Sequence, residues 1–341
     1  MDRRALLTSL GCLALAGCTA GDEPAGTGTE AAETASSTTA EATAELTSEK
    51  RTTADPETPD VGVPPGEADG PPWRDGTDRA VSWTQATESP LRLTPPTQVG
   101  SLPEASFDFT LENRTSVRFE TNPYDWGLWR RFDGEWFFVT PRYVPEPLMY
   151  VEPGETHKWT LEATGTVPET DVERVEGSSS LRVNALGGGT YAFTVEGNFP
   201  TEGYPDVGLA ARFELDGDPL ELTPSSAVTE TAREGDTVVV SADFETDSTL
   251  KGDAVVVERV GDKATDAKDE VRRVIPERAV RDQRLRNTLP FFEAGVTTVR
   301  LEPTASSWPV FGVRDGVVEY EGTRYRVTEK RGETQREETS E

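Results

Sequence analysis

Two cysteines, one histidine and six lysines are all that this 341-residue chain contains of those three residue types. Each scarcity removes a class of chemistry. His157 stands alone, with no serine, cysteine or carboxylate motif framing it, which argues against a Ser-His-Asp or Cys-His nucleophile and favours a structural role. Without a second histidine or a cysteine in reserve, no zinc or copper site of ordinary ligand type is expected. A helical membrane span needs about 20 apolar residues; the leading run from Ala5 to Gly17 has 13. Positive charge is also short, with 34 Lys and Arg against 62 Asp and Glu, a formal charge of −28. That surface repels phosphate, so nucleic acid is excluded as a partner.

What the N-terminus does contain is an ordered signal. Arg3 and Arg4 are followed by Leu6, Leu7, Leu10, Leu13 and Leu15 and then by small residues, the charge, apolar and cleavage order of an export leader. Leu15-Ala16-Gly17-Cys18 resembles a lipoprotein lipobox, which implies that residues 1–17 are removed and that Cys18 carries a thioether-linked lipid. Arg3-Arg4-Ala5-Leu6-Leu7 resembles a twin-arginine signal, although Asp2 departs from the usual residue before the pair; the resemblance implies export of a folded protein. Cys12 falls inside the leader, so the mature chain has no intramolecular disulfide. The expected location is the outer face of the cytoplasmic membrane, with the membrane held as a partner through the lipid on Cys18. One chain anchors only marginally, at about 0.8 kcal/mol per buried CH₂, whereas two hold firmly.

Excess carboxylate with scarce lysine resembles the secreted proteins of halophilic archaea. A charge of −28 strains a compact state by self-repulsion in dilute buffer. At about 1 M salt the Debye length falls to roughly 3 Å and the repulsion is screened. The composition therefore predicts loss of structure at low salt.

Residues 18–72 are rich in Thr, Ala, Glu, Ser, Gly and Pro and contain no aromatic residue, so they cannot bury enough surface to offset chain entropy. They read as a disordered acidic stalk with a root-mean-square span of roughly 40 Å. Residues 331–341 form a charged tail.

Residues 73–222 switch to the two-residue period of strands. Ala105, Phe107, Phe109 and Leu111 alternate with Ser106, Asp108, Thr110 and Glu112. The pattern returns at His157/Trp159/Leu161, Tyr191/Phe193/Val195 and Leu209/Ala211/Phe213/Leu215, and Asp133-Gly134 between apolar runs signals a hairpin. Short strands, turn residues and no convincing helix predict a mainly β fold, a β-sandwich. Gly189-Thr190-Tyr191-Ala192-Phe193 resembles the tyrosine corner of immunoglobulin-like domains, with Phe193 at the second cysteine position. Phe107 or Phe109 would then replace the first cysteine, and Trp126 or Trp129 would be the core tryptophan. "FTLENRTSVRF", "FDGEWFFV" and "VEPGETHKWTL" are similar, in order and spacing, to cysteine-free immunoglobulin-like domains of bacterial and archaeal surface lipoproteins. The resemblance covers about 140 residues and implies a sandwich held by aromatic packing.

Nine of the 27 aromatic residues fall between Tyr124 and Tyr150. Most belong in the core. Alternatively, several stay exposed as a platform for sugar rings or a partner protein, with Trp126, Trp129 and Trp136 as the candidate binding face.

Residues 223–330 predict a small α+β region. "DTVVVSADF" and "DAVVVERV" read as buried strands. Ala267, Val271, Val274 and Ile275 fall on one helical face ended or kinked by Pro276, and a second helix is expected over 277–287, stopped by Pro290. Lys268 to Arg286 holds seven basic and four acidic residues. It reads as a solvated helix face, or else as a docking surface for an acidic partner or anionic headgroups.

The remaining motifs are weak. Asp216 and Asp218 offer carboxylates for calcium, but "LDGDP" is better read as a turn. "NALGGGTY" lacks the Lys-Ser/Thr and following helix of a phosphate loop, so no cofactor is expected. Asn113-Arg114-Thr115 is a glycosylation sequon at a strand end, where sugar would project into solvent. No catalytic residue stands out among the 62 carboxylates. The sequence thus points to a lipid-anchored surface protein that binds or bridges an envelope protein or glycan. Its rivals are an extracytoplasmic hydrolase or solute-capturing lipoprotein with carboxylates between the two folded regions, and a plain spacer.

Overall fold

The computed structural model describes residues 61–64, 70–141, 146–170, 172, 177–200, 203–244, 254–261, 270–303 and 315–330. Arg3, Arg4, Cys18, most of the expected stalk, Ala267 and the tail 331–341 lie outside the described residues. In chain order the first eleven strands are β1 (Arg79–Val81), β2 (Leu91–Thr94), β3 (Thr97–Ser101), β4 (Glu104–Asn113), β5 (Phe119–Phe132), β6 (Glu135–Thr140), β7 (Met149–Val151), β8 (Thr156–Thr164), β9 (Ser180–Val183), β10 (Gly189–Asn198) and β11 (Asp206–Asp216). One sheet runs β1-β11-β10-β5-β6, with β3 also on β11 and β7 on β5; the second runs β2-β4-β8-β9.

The alternation read from the sequence gives these two sheets their shared core. Phe107, Phe109, Leu111, Trp159 and Leu161 from one sheet meet Trp126, Tyr191, Phe193, Phe213 and Leu215 from the other, all at most 3 % exposed. Where immunoglobulin-like domains place a disulfide, three rings stack: Phe109 lies 4.4 Å from Phe193 at 1°, and Trp126 lies 5.9 Å from Phe193 at 11°. Each such contact adds about 0.5–1.5 kcal/mol beyond area burial. Phe109 and Trp126 thus occupy the positions for which the sequence offered two candidates each. The Tyr191 hydroxyl donates to the Gly187 carbonyl four residues upstream at 2.8 Å, the bond of a tyrosine corner. The core also reaches into the expected stalk, since Val61 and Val63 are 7 % and 1 % exposed and belong to the same cluster.

The later strands are β12 (Val228–Glu234), β13 (Thr237–Ala242), β14 (Ala254–Val260), β15 (Val271–Arg273), β16 (Thr298–Pro303), β17 (Gly316–Tyr320) and β18 (Thr323–Lys330). They form one sheet ordered β12-β13-β16-β14-β18-β17-β15. The helical part is minor: α1 (Pro276–Ala279), α2 (Gln283–Arg286) and a 3₁₀ turn (Leu289–Phe291). Two expectations change. Val271–Arg273 pairs in parallel with β17 instead of continuing a helix, and Pro276 opens α1 at its first turn instead of ending one. Proline is suited there because the first helical N–H has no intrahelical partner. The expected helix over 277–287 is split at Asp282, whose carboxylate accepts from the Arg284 and Leu285 amides and so caps a new start.

Past the exposed Arg272, the described part of the basic segment is mostly buried and not a solvated face. Arg286 is fully buried and donates to the carbonyls of Thr223, Thr170 and Pro168. Arg281 donates to Asn184, Ala185 and Glu277 carbonyls, and Arg278 to that of Phe138. Glu277, also fully buried, pairs with Arg130 of β5, while its Oε1 accepts from the Gly187 amide at 3.1 Å and the Tyr191 hydroxyl at 3.3 Å. Arg278, Arg281 and Arg286 satisfy backbone carbonyls where the two folded regions meet, whereas Arg273 pairs with Asp133 and Glu135 and Arg284 with Glu329. The described residues from Val61 to Lys330 fall in one compact unit.

Candidate binding face and its cavities

Strand parity divides the tryptophan cluster. On β5, Trp126 and Leu128 point into the sandwich and Gly127 and Trp129 point out, so Trp126 is a core residue, 2 % exposed, with its indole N–H given to the Gly177 carbonyl at 3.2 Å. Register carries the outward face onto β6, where Phe138 lies opposite Trp129 and Trp136 opposite Arg131. Trp129 and Trp136 are half-buried. Of the three candidates, the structure therefore keeps two on one face and moves the third into the core.

Two tryptophans that sequence reading did not single out complete that face. Trp83 meets Trp136 at 5.9 Å. Trp73 lies flat on β11 because Gly208 has no side chain; a Cβ there would come within 2.3 Å of the ring. The segment around Trp73 thus covers part of the outer sheet surface before the chain enters the sheet as β1, and the outward-facing Ala192 and Ala210 are 0 % and 1 % exposed. The available signal was "PPWRDG", which carries the first aromatic residue after the expected stalk.

Between Trp73, Trp129 and Phe138 lies a cavity of about 260 Å³, also lined by Pro72 and Pro141. The Trp129 indole donates to Thr194 Oγ1 at 3.2 Å and its ring meets Phe138 edge-on at 5.1 Å, which fixes the wall. Arg74, Asp125 and Glu196 form the polar rim. The Arg74 guanidinium pairs with Asp125, its Nε lies 3.7 Å from Glu196, and the Thr77 hydroxyl donates to Glu196 at 2.9 Å. The hydrogen bond to Asp125 raises the Arg74 pKa above the usual guanidinium value, against a smaller opposing effect of burial.

These three rim residues also line an adjoining cavity of about 360 Å³, with Asp75, Glu120, Glu146 and Asp206. Burial, followed by repulsion from Asp78, pushes the Asp206 carboxyl above the usual carboxylate range. Leu148 borders this cavity at 59 % exposure, and near it Tyr150 is covered by the Arg118 guanidinium at 4.5 Å. Neither cavity is lined by residues of 223–330.

The other candidates fall elsewhere. Asn113 ends β4 as expected, yet its side chain is fully buried: Nδ2 donates to the Val117 and Val151 carbonyls, and Oδ1 accepts from the Thr115 amide and hydroxyl. The amide nitrogen that would take a sugar is occupied, so the sequon does not project into solvent. His157 Nε2 lies 2.9 Å from the Ser178 carbonyl and its ring packs edge-on against Trp159, a structural arrangement. Among the described residues no group of three or more His, Cys, Asp or Glu side chains is placed to hold a metal ion. The turn after β11 is closed by backbone bonds, Leu102 N–H to Asp216 and Gly188 N–H to Asp218, both at 2.8 Å.

No protein-family model matches this chain, and no curated protein matches it. Among solved structures, it is similar to a chain of a chaperone–tip adhesin complex of CFA/I fimbriae biogenesis, with TM-score 0.24 and 9 % identity over 53 % of this chain and 79 % of that one. It is also similar to a chain of the CsuC–CsuE chaperone–tip adhesion subunit pre-assembly complex from archaic chaperone-usher Csu pili of Acinetobacter baumannii, with TM-score 0.24 and 10 % identity over 67 % of this chain and 92 % of that one. Similarity this low says nothing about what this chain binds.

Proposed function

We propose that this chain is an exported, lipid-anchored and salt-adapted surface protein that binds a partner noncovalently at the envelope through the outer face of its immunoglobulin-like sandwich. The observation that carries the binding role is the tryptophan-walled cavity with its charged rim, formed where Pro72, Trp73 and Arg74 lie on that face. Largely apolar, concave sites with a few convergent polar groups are the default location for ligands. The lipobox-like Leu15 to Cys18 and the twin-arginine-like Arg3-Arg4 support export and anchoring, and the charge of −28 supports salt adaptation.

The hydrolase or solute-capture alternative needs accessible carboxylates between the two folded regions. Glu277 at that junction is fully buried against Arg130, Gly187 and Tyr191, and the exposed Asp133 and Glu135 are paired with Arg273, which favours the binding role. The test is recovery of the full-length protein from envelopes in molar salt beside a Trp129→Ala form. The proposal expects a partner retained by the parent and lost by the folded variant. Equal recovery by both removes this face from the account.

A further inference from the structure

We infer that the paired cavities take a neutral, hydroxyl-rich saccharide of at least two rings, an inference that rests on the binding role proposed for this face. Four features of the site select that chemistry. The walls Trp73, Trp129 and Phe138 are flat π surfaces, and the C–H face of a sugar ring carries slight positive charge that meets their negative faces. The rim offers donors and acceptors side by side, as hydroxyl groups require. A carboxylate has about four lone-pair positions and a guanidinium five N–H donors; the Arg74–Asp125 and Arg74–Glu196 contacts and the Thr77 bond leave much of that capacity open.

Charge narrows the class further. Asp75, Glu120, Asp125, Glu146, Glu196 and Asp206 surround the cavities with Arg74 as the lone cation among the lining residues, so uronate, sulfate or phosphate groups are repelled. A cationic ligand has less reason to enter, because the place between Asp125 and Glu196 is filled by Arg74 itself. The length follows from the sharing of rim residues. Arg74, Asp125 and Glu196 border both the 260 Å³ aromatic cavity and the 360 Å³ polar one, so a ring stacked in the first places its neighbour in the second. Stacking and neutral hydrogen bonds also persist in concentrated salt, where attraction between charges is screened.

The experiment is calorimetric titration of the full chain with neutral gluco-, manno-, galacto- and N-acetylglucosamine-linked tetrasaccharides, their monosaccharides and a tetra-arginine peptide, at about 1 M and about 3 M NaCl. At least one tetrasaccharide is expected to bind with little salt dependence, and its monosaccharide about tenfold or more weaker. Trp129→Ala and, as a surface change that spares the core, Arg74→Ala should each weaken it by about tenfold or more with the circular dichroism spectrum unchanged. Overturning results are no tetrasaccharide binding at millimolar concentration, or binding unaffected by both variants. Salt-sensitive binding of tetra-arginine alone, lost in Trp129→Ala, would overturn the saccharide while keeping the face as a binding site. A face that binds none of these, beside equal envelope recovery of parent and Trp129→Ala, would end both proposals.

Discussion

Removing the Glu277 carboxylate tests whether the two folded regions stand or fall together. Glu277 belongs to α1 and is fully buried, yet its partners Arg130, Gly187 and Tyr191 all belong to the sandwich. Glu277→Ala leaves the Arg130 guanidinium, itself only 6 % exposed, without its counter-charge. Breaking one side of a buried pair costs about 3–5 kcal/mol. The Gly187 amide and Tyr191 hydroxyl also lose an acceptor, although Tyr191 keeps the Gly187 carbonyl. At about 2–4 °C per kcal/mol for a unit of this size, Tm should fall by on the order of 10 °C. Replacing both charges, Arg130→Met with Glu277→Leu, should recover most of the loss, because no unpaired charge remains inside. The assay is thermal unfolding followed by circular dichroism and by tryptophan fluorescence in molar NaCl. Both signals should move in one transition, shifted equally in Glu277→Ala. Two separate transitions, or additive losses in the double variant, would refute the interlocking of the regions.

Trp126→Ala removes the fully packed ring from the Phe109–Phe193–Trp126 stack and should cost about 3–5 kcal/mol, whereas Trp136→Ala on the outer face should cost far less; comparing their urea midpoints checks the division by parity. Asn113→Ala should destabilise by about 1–3 kcal/mol through the Val117 and Val151 carbonyls it abandons, and intact mass should show no sugar on Asn113; a glycan there, or a neutral substitution, would contradict its burial. For Glu112, burial alone would raise the pKa, but bonds from the Thr94 hydroxyl and the Arg92 guanidinium carry it below the usual carboxylate range. A depressed acid stabilises the fold above its unfolded pKa and loses that contribution as pH falls through the folded value, so Glu112→Gln should flatten the acid limb of the Tm–pH curve. Asp206 is shifted the opposite way, by burial and Asp78, so the fold gains as it protonates; Asp206→Asn should therefore stabilise the fold slightly at neutral pH, by less than about 1 kcal/mol because the site is largely open to solvent, and raise Tm accordingly.

Strand alternation, the tyrosine corner and the phenylalanine at the cysteine position were legible because each depends on residues a few positions apart. Trp126 and Trp129 differ in parity, so one of them had to face the core, but which one depended on the register with β10, a long-range fact. The helix expected through Ala267, Val271, Val274 and Ile275 is replaced at Val271–Arg273 by a strand, because the last three of these apolar residues suit a short strand followed by a turn equally well, and Ala267 lies outside the described residues. Pro276 then fits a helix start as readily as an end. The basic segment shows a deeper limit. Its charge was countable, but nothing local indicated that Arg286 and Arg281 would meet carbonyls about a hundred residues away. Trp73 was hidden for the same reason, since Gly208, which admits its ring, lies 135 positions later.

The proposed salt adaptation separates from these contacts by its own signature. The buried Glu277–Arg130 pair is shielded from ions, whereas the carboxylate surface is not. Lowering NaCl from molar to dilute should lower Tm steadily in the parent and in Glu277→Ala by the same amount. A Tm that ignores salt would remove salt adaptation from the account.

The proposed placement of the proposed binding face outside the cell depends on Cys18, and mass spectrometry of the N-terminal peptide from envelope-isolated protein tests it directly. The account predicts a mature chain that begins at Cys18 with lipid on its sulfur. A chain that retains Met1, or an unmodified Cys18 on protein free of the membrane, would contradict it.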